Sequence, residues 1–332
     1  MPALALAGYH VVAPDQRGYG RTTGWDASSY EKVDMRSFSM TNLVRDMVAF
    51  VNALGYERVH CIVGHDFGAV TAAMCAMVRP DMFQRVVMMS HPFKGAPDIP
   101  FDTLHRRGAV AEQPQSSSKQ ENIHEALARL PQPRKHYKWY YSTPSANRDL
   151  LEPKAELASF LRAYFHAKSA DSPDDSPQPL KSWTATELAK MPAYYIMPLH
   201  ATMREAVEPA MPSRSTVEFA SSRWLDNGEL DVYVQEWGRT GFQGGLNWYR
   251  CATDPALLKD VEMFAGKEID VPALFVAGVK DWGTYQEPGV LDGYPKLCKD
   301  FRGVRMIEDA GHWVQQEQPD RVVEEILTFL ET

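Results

Sequence analysis

The sequence predicts an α/β protein with a mostly parallel sheet, flanking helices and one helical insertion. Short β-branched runs alternate with helical patterns up to about residue 93, and this alternation returns from about residue 261. Between the two parts the pattern is mainly helical and dense in aromatic residues. Because alternating strands and helices form parallel sheets, we expect a discontinuous core of residues 1–93 and 261–332, and a helical cap over residues 94–260.

Each predicted core element follows from a local pattern. Five predicted strands are short runs rich in apolar or β-branched residues: 9–14, 59–64, 85–90, 271–278 and 304–311. Three predicted helices carry apolar residues at helical spacing: 40–55, 69–80 and 320–330. Gly55 suits the position just past a helix, Pro80 ends the second helix, and Pro319 precedes the third. The carboxyl ends of parallel strands are where an active site is expected.

The predicted cap has a different pattern. Helical spacing of apolar residues predicts helices over 154–167, 184–191 and 229–238, and the segment shows no alternating strands. Two polar stretches, 111–120 and 169–180, are predicted to be loops because they are rich in Ser, Pro and charged or amide residues. We therefore expect a mostly helical insertion that is dense in aromatic residues.

Composition excludes several classes of protein. The 332 residues are 44% hydrophobic and 23% charged, with a net charge of −8, which argues against binding to nucleic acid. No apolar run is long enough to span a bilayer, and the apolar start lacks the basic residues of a signal peptide. The four cysteines are widely spaced, which favours free thiols in a reducing compartment and a cytoplasmic location.

Three predicted strands are followed by residues that could form a catalytic triad. Asp66 stands in Gly-His-Asp-Phe-Gly, where the strand-to-helix pattern G-x-S-x-G would place a serine nucleophile. Asp281 and His312 follow later strands, and the chain order nucleophile, acid, base matches that of hydrolases with this turn. Each of these residues could instead have no catalytic role: Asp66 could be a helix N-cap, Asp281 could lie in a solvated turn and His312 in a surface loop.

An aspartate at the nucleophile position suits attack on an sp³ carbon, which gives an alkyl–enzyme ester. Water deprotonated by His312 would then attack the carbonyl carbon of Asp66, while Asp281 orients the imidazole. The leaving group could be a halide, which needs weak donors such as Trp N–H. It could also be an epoxide oxygen, which needs a proton donor such as Tyr.

The chain resembles the epoxide hydrolases of the α/β-hydrolase superfamily, the soluble kind with a cap, over nearly its whole length. The resemblance rests on "GGLNWYR" (244–250), "DQRGYG" (15–20) and "AGHW" (310–313). It implies ring-opening tyrosines at Tyr249 and at Tyr137, with Tyr140 as the alternative to the latter, an oxyanion donor at the Phe67 N–H, and no metal or organic cofactor. Packing is the alternative role for such cap aromatics.

The chain departs from the family in one region. The strand at 9–14 resembles the family's fourth strand, so the family's first three strands are not found, and whether Met1 is the natural start is left open. No His-Gly pair followed by Pro, which would carry a second oxyanion donor, occurs in the sequence. Because one such donor contributes roughly 10² to 10³ in rate, we expect slow hydrolysis of the ester.

Two other functions stay open. A haloalkane or haloacetate dehalogenase would use the same nucleophile, although Phe67 cannot donate to a halide through its side chain. A hydrolase fold that binds a ligand without turnover is the other alternative. For the enzyme we expect a small apolar epoxide as substrate, no nucleic-acid partner and no membrane span, and a homodimer is left open. Four aromatic residues are predicted to line the substrate site: Phe67, Trp282, Trp313 and Tyr141.

Overall fold

The structure is a computed structural model that describes residues 1–97, 122–173, 176–213, 215–216 and 223–332. The predicted loop at 111–120 lies outside the described residues. Among the described residues, no helix combines the length and the apolar character that crossing a bilayer requires.

Four parallel strands form the central sheet, in the order β1-β2-β5-β6. They are β1 (Ile62–His65), β2 (Val86–Met89), β5 (Ala273–Gly278) and β6 (Phe301–Ile307). His65 is in register with Met89, and Met89 with Val276, so the strands end at a common edge. The predicted α/β class is confirmed, and the predicted strands at 59–64, 85–90, 271–278 and 304–311 are confirmed with shifted ends.

Helices cover both faces of the sheet. The helices of the core region are α1 (Pro2–Leu6), α2 (Met40–Ala53), α3 (Phe67–Val78), α12 (Lys259–Glu262), α13 (Tyr294–Leu297), α14 (Val314–Glu317) and α15 (Pro319–Leu330). Side chains alternate along β2: Val86 and Met88 pack in the cluster with α2 and α3, whereas Val87 and Met89 pack in the cluster with α15. All four strand residues are buried, as expected for a parallel strand covered on both faces.

The predicted strand at 9–14 is wrong. These residues have no regular secondary structure, and Val12 is 42% exposed. A strand requires a neighbour with which its backbone groups pair, and none lies beside this segment among the described residues. Strand β1 is consequently the edge of the four-stranded sheet, with Val63 40% exposed.

The insertion has its own apolar cluster, which includes Leu127, Phe160, Ile196 and Leu246. Its helices are α4 (Ile123–Ala128), α5 (Tyr137–Tyr141), α6 (Ala146–Leu151), α7 (Leu157–Ala167), α8 (Ala185–Leu188), α9 (Met203–Val207), α10 (Asn227–Thr240) and α11 (Gln243–Thr253). Besides these helices, the insertion has one pair of short strands, in which β3 (Arg134–His136) pairs antiparallel with β4 (Ile196–Pro198). These three-residue strands are too short to show alternation in sequence. The cap boundaries at 94 and 260 stay a prediction.

A close backbone contact joins the insertion to the core. A Cβ added to Gly244, in α11, would lie 2.1 Å from the carbonyl oxygen of Gly18. Gly18 itself has φ +89 and faces Gly244 at similarly short range. Glycine is required at both positions, and the contact fixes α11, which carries Tyr249, above the carboxyl edge of the sheet.

Candidate active site

The turn after β1 carries Asp66 in a strained conformation. Asp66 has φ 52 and ψ −121, a region that residues with a side chain rarely adopt. The turn is tight: a Cβ on Gly64 would lie 2.0 Å from the carbonyl oxygen of Gly68. The absence of a side chain at Gly64 therefore permits the sharp passage from strand to helix at the first glycine of the G-x-S-x-G spacing.

Asp66 occupies the N-cap position of α3 but does not cap it. Its side chain accepts no hydrogen bond from the first turn of the helix. An N-cap aspartate normally accepts from the second or third residue of the helix. The capping explanation for Asp66 therefore does not hold, and the carboxylate is left free to face other groups.

His312 stands between the two carboxylates. Its Nε2 lies 3.5 Å from Oδ1 of Asp66, and its Nδ1 lies 3.2 Å from Oδ1 of Asp281. Asp281 also accepts a hydrogen bond from the N–H of Gly283 at 2.7 Å. Both His312 and Asp281 are buried, so neither the surface-loop nor the solvated-turn explanation holds. A proton on Nδ1 that bonds to Asp281 leaves the lone pair of Nε2 directed at the Asp66 side.

The backbone of His312 is held from two sides. Its N–H donates to the carbonyl of Lys168 at 2.8 Å. Its carbonyl accepts from Nε2 of His65 at 2.7 Å and from Oγ of Ser90 at 3.0 Å. Burial, followed by the nearby His312, lowers the pKa of His65 to about 4. His65 is therefore neutral at neutral pH and acts as a fixed donor to this loop.

The surrounding charges favour an ionised Asp66. Burial alone would raise the pKa of this carboxyl, but His312, Lys168, His91 and His65 outweigh burial and lower the pKa below its usual range. The same balance holds for Asp281, where burial is opposed by the charge and hydrogen bond of His312 and by Lys168. Both groups are therefore carboxylates at neutral pH, as a nucleophile and an orienting acid require.

Tyr137 and Tyr249 lie together beside the elbow. Their ring centroids are 5.8 Å apart, and the ring of Phe67 is 4.6 Å from that of Tyr249. Burial, with added repulsion from the Asp66 carboxylate, raises the pKa of both phenols well above their usual range. Tyr140 differs, since its hydroxyl faces Asp149 at 3.4 Å and the N–H of Met203 at 3.3 Å. The structure thus brings Tyr137, not Tyr140, to the elbow.

The four aromatic residues predicted to line the site take different positions. Phe67 and Tyr141 both contact Tyr249, at centroid distances of 4.6 and 4.9 Å. The ring of Trp313 is 4.8 Å from that of His312, and its Nε1 donates to the carbonyl of Phe165. Trp282 is buried in the apolar cluster of the insertion. Three of the four therefore contact the candidate tyrosines or His312 directly.

Two residues at the site carried no signal in the sequence. The amide of Gln286 accepts from the hydroxyl of Tyr137 at 3.1 Å and faces Nδ1 of His91 at 3.2 Å. Lys168, at the end of α7, is buried and acts on the pKa of both Asp66 and Asp281. Each comes to the site through tertiary folding, and neither belongs to a short motif that could have identified it.

A buried ion pair fixes the helix that carries Tyr137. Nζ of Lys138 lies 2.8 Å from Oε1 of Glu287, with these side chains 14% and 8% exposed. Burial would raise the pKa of Glu287, but Lys138 and Lys94 outweigh it and lower the pKa to about 2. Helix α5 is thereby tied to the loop that follows Asp281.

Replacing Glu287 with Gln should reduce the free energy of unfolding at pH 7 by about 2–3 kcal/mol, because a folded-state pKa near 2 is well below the usual 4.5. A carboxyl group whose pKa is lower in the folded than in the unfolded protein stabilises the fold at pH values above its unfolded-state pKa of 4.5. The difference from wild type should therefore narrow as pH falls below 4.5 toward 2. Urea unfolding at pH 7 and at pH 3.5 measures this difference in the free energy of unfolding. The exposed Glu308→Gln is the control. An equal loss at both pH values would contradict the ion-pair explanation.

The comparisons with known proteins agree on one family. The sequence profile of the alpha/beta hydrolase fold family matches residues 1–319. Epoxide hydrolase A of Mycobacterium tuberculosis is 30% identical over 341 aligned positions, which cover 99% of this chain and 84% of that protein. Epoxide hydrolase B of the same organism is 29% identical and is covered to 86%.

Solved structures give the same result. An epoxide hydrolase from an endophytic Streptomyces superposes with a TM-score of 0.71 at 27% identity, over 99% of this chain and 83% of that one. Potato (Solanum tuberosum) epoxide hydrolase I superposes with a TM-score of 0.67 at 26% identity, over 100% of this chain and 86% of that one. With the fold, the full-length match and the sequence identity in agreement, the chain belongs to the epoxide hydrolases of the α/β hydrolase family.

Proposed function

We propose that this protein converts a small apolar epoxide and water to a vicinal diol through an alkyl ester on Asp66. The observation that carries the proposal is the Asp66 carboxylate, which caps no helix and lies 3.5 Å from Nε2 of His312. Two buried phenols, those of Tyr137 and Tyr249, lie beside it. A free carboxylate, a base and neutral proton donors are the groups that ring opening and ester hydrolysis need.

In the first step an oxygen of Asp66 attacks an epoxide carbon. The C–O bond of the ring breaks, and its electron pair remains on the former epoxide oxygen. Tyr137 and Tyr249 hydrogen-bond to this oxygen, and one of them transfers its proton to it. The raised pKa of both phenols keeps them protonated before the reaction. The product is a hydroxyalkyl ester of Asp66.

In the second step water attacks the carbonyl carbon of that ester. His312 Nε2 takes the proton of the water, and Asp281 stabilises the imidazolium that forms. The N–H of Phe67, at the first position of α3, has no partner within the helix and is available to the tetrahedral oxyanion. Collapse releases the diol and restores the carboxylate, and the imidazolium proton returns to the tyrosinate through water.

The oxygen balance of these steps gives a direct test. In a single turnover with excess enzyme in ¹⁸O-water, the label should enter Asp66 and be absent from the first diol, because the diol takes its oxygen from the carboxylate. Mass spectrometry measures the ¹⁸O content of the diol formed from styrene oxide and of the peptide that contains Asp66. Label in the first diol and none in the peptide would instead mean direct attack by water.

Replacing Tyr137 with Phe should lower kcat for ring opening roughly 10- to 100-fold, since Tyr249 still donates to the developing alkoxide. The buried phenyl ring keeps its packing, so the unfolding temperature should change little. Steady-state diol formation measures the rate, and Tyr140→Phe is the matched control. A larger loss in Tyr140→Phe than in Tyr137→Phe would reverse the assignment of the two residues.

For a polypeptide that consists of these 332 residues alone, we propose that ester hydrolysis is slow. Phe67 supplies one oxyanion donor, and the His-Gly-x-Pro stretch that supplies the second in the family does not occur in the 332 residues. A missing donor costs about 3 kcal/mol in the step that forms the oxyanion. Protein mixed with an epoxide should therefore show an intact-mass adduct that maps to Asp66. Rapid turnover without any adduct would contradict this prediction.

The dehalogenase and the ligand-binding alternatives can be separated from this proposal by assay. A halide site needs N–H donors at the leaving group, and Nε1 of Trp282 is buried without a partner among the described residues. Chloride release from a haloalkane, with no diol from an epoxide, would favour the dehalogenase. Stoichiometric binding of either compound with no product would favour a non-catalytic binder.

A further inference from the structure

Glu317 is a buried residue whose carboxyl group has no part in the proposed reaction. It is 6% exposed and accepts the backbone N–H groups of Ala170 at 2.7 Å, Gly311 at 3.0 Å and Trp313 at 3.0 Å. Burial raises the pKa of this carboxyl to about 7, and the three N–H groups oppose that shift. Such bonds are strongest with the carboxylate form, which predominates in mildly alkaline solution.

Two of these donors belong to the loop that carries the proposed base. Gly311, His312 and Trp313 are called the histidine loop below. The N–H groups of Gly311 and Trp313 donate to Glu317, and the N–H between them, that of His312, donates to the carbonyl of Lys168 at 2.8 Å. All three successive N–H groups of the histidine loop therefore have acceptors outside the loop.

The third donor belongs to the insertion. Residues 168–170, which follow α7, are called the insertion segment below. The N–H of Ala170 donates to Oε2 of Glu317 at 2.7 Å, and the carbonyl of Ala170 accepts from Nζ of Lys280 at 2.9 Å. Glu317 ends α14 and Lys280 follows β5. Two charged side chains of the core thus bind both backbone polar groups of one residue in the insertion.

The histidine loop and the insertion segment are in close backbone contact. A Cβ added to Gly311 would lie 2.5 Å from the carbonyl oxygen of Lys168 and 2.7 Å from the carbonyl carbon of Ser169. Glycine is therefore required where the two segments meet. The core holds the carbonyl of His312, whereas the insertion segment holds its N–H. The position of the imidazole consequently depends on how the insertion segment is docked.

We propose that Glu317 is a positioning residue for ester hydrolysis: it holds the histidine loop against the insertion segment, so that Nε2 of His312 is aligned with the ester on Asp66. Lys280 supports the same contact through the carbonyl of the insertion segment. This rests on the proposed function, in which His312 activates water in the second step only. Ring opening should therefore depend little on Glu317. A displacement of about 1 Å at a catalytic group can cost on the order of 10²-fold in rate.

The test measures the two steps separately at pH 8.5, where Glu317 is ionised. Enzyme in excess is mixed with styrene oxide and quenched at intervals. Intact-mass measurement follows the ester on Asp66, and chromatography of the diol follows its hydrolysis. The two rates separate an effect on the base from a general effect on the fold, which would lower both.

Glu317→Gln should slow ester hydrolysis about 10- to 100-fold and change ester formation less than about threefold. An amide has one oxygen and one NH2 group, so an N–H on one side loses its acceptor. In the His312→Gln background the same substitution should cause no further loss, because Glu317 acts through His312. The exposed Glu331→Gln is the matched control and should keep both rates.

Two further variants test the contact with the insertion segment. Gly311→Ala should show the same selective loss, because its methyl group would overlap the carbonyl of Lys168. Gly293→Ala is the matched control, since a Cβ there meets no atom within 4 Å. Lys280→Met should slow ester hydrolysis about 3- to 10-fold, and Lys280→Arg, which can still donate, should retain most of the rate.

Each outcome decides the proposal. An equal loss in both steps of Glu317→Gln, or no loss in either, would overturn it, as would a further loss in the His312→Gln background. If Glu317→Gln does not fold, Lys280→Met decides in the same way. A selective loss in Glu317→Gln without one in Gly311→Ala would reject the part of the insertion segment. Absence of both ester and diol in wild type would reject epoxide hydrolysis itself, whereas normal ester formation with no selective loss rejects the role of Glu317 alone.

Discussion

Replacing Asp66 with Asn should lower the rate of diol formation by roughly 10⁴-fold or more, because the substitution removes the nucleophile and keeps the shape of the side chain. Asn has the same size as Asp and adds no further clash at this strained turn, so the fold should persist. Diol release from styrene oxide measures the rate, and circular dichroism measures the fold.

The exposed Asp231→Asn is the matched control, since it removes one carboxylate from the surface of α10. It should keep wild-type activity. If Asp66→Asn retained more than about one hundredth of the wild-type rate, attack by Asp66 would be excluded as the main route. His312 could then act on water directly.

Replacing His312 with Gln should lower the turnover rate roughly 10³- to 10⁴-fold while leaving ring opening largely intact. The reason is that His312 activates water in the second step, whereas Asp66 and the two tyrosines perform the first. The ester should therefore accumulate, and intact-mass measurement should show one molecule of epoxide added per chain.

The double variant Asp66→Asn/His312→Gln controls for labelling elsewhere and should show no adduct. A His312→Gln protein that forms neither diol nor adduct would mean that the histidine is also needed for ring opening. An adduct in the double variant would place the reactive carboxylate at another residue.

The active-site elbow could be predicted from the sequence because its requirements are local. Gly64 is needed for one tight turn against the backbone of Gly68, and Asp66 directly follows the strand that ends at His65. The meeting of Asp281 and His312 with Asp66 could also be predicted, since parallel strands end at a common edge and β5 and β6 are neighbours.

The features that could not be predicted from the sequence depend on interactions between distant parts of the chain. Residues 9–14 have the composition of a strand, but β-propensity does not make a strand without a partner. Lys168 follows a helix like many polar residues, and its burial depends on rings from α7, from the segment before β4 and from the loop after β6. Gln286 likewise reaches Tyr137 across 149 positions of sequence.

The backbone strain at Asp66 lowers the stability of the fold at the residue on which the proposed activity depends. A residue with a side chain at φ 52 and ψ −121 costs of order 1–3 kcal/mol, which a glycine at the same position would largely avoid. The backbone conformation at this turn would therefore favour replacement of the proposed nucleophile by glycine. Selection for stability alone would therefore favour replacement of this aspartate, and the nucleophile role proposed for Asp66 gives a reason for a strained residue at this turn.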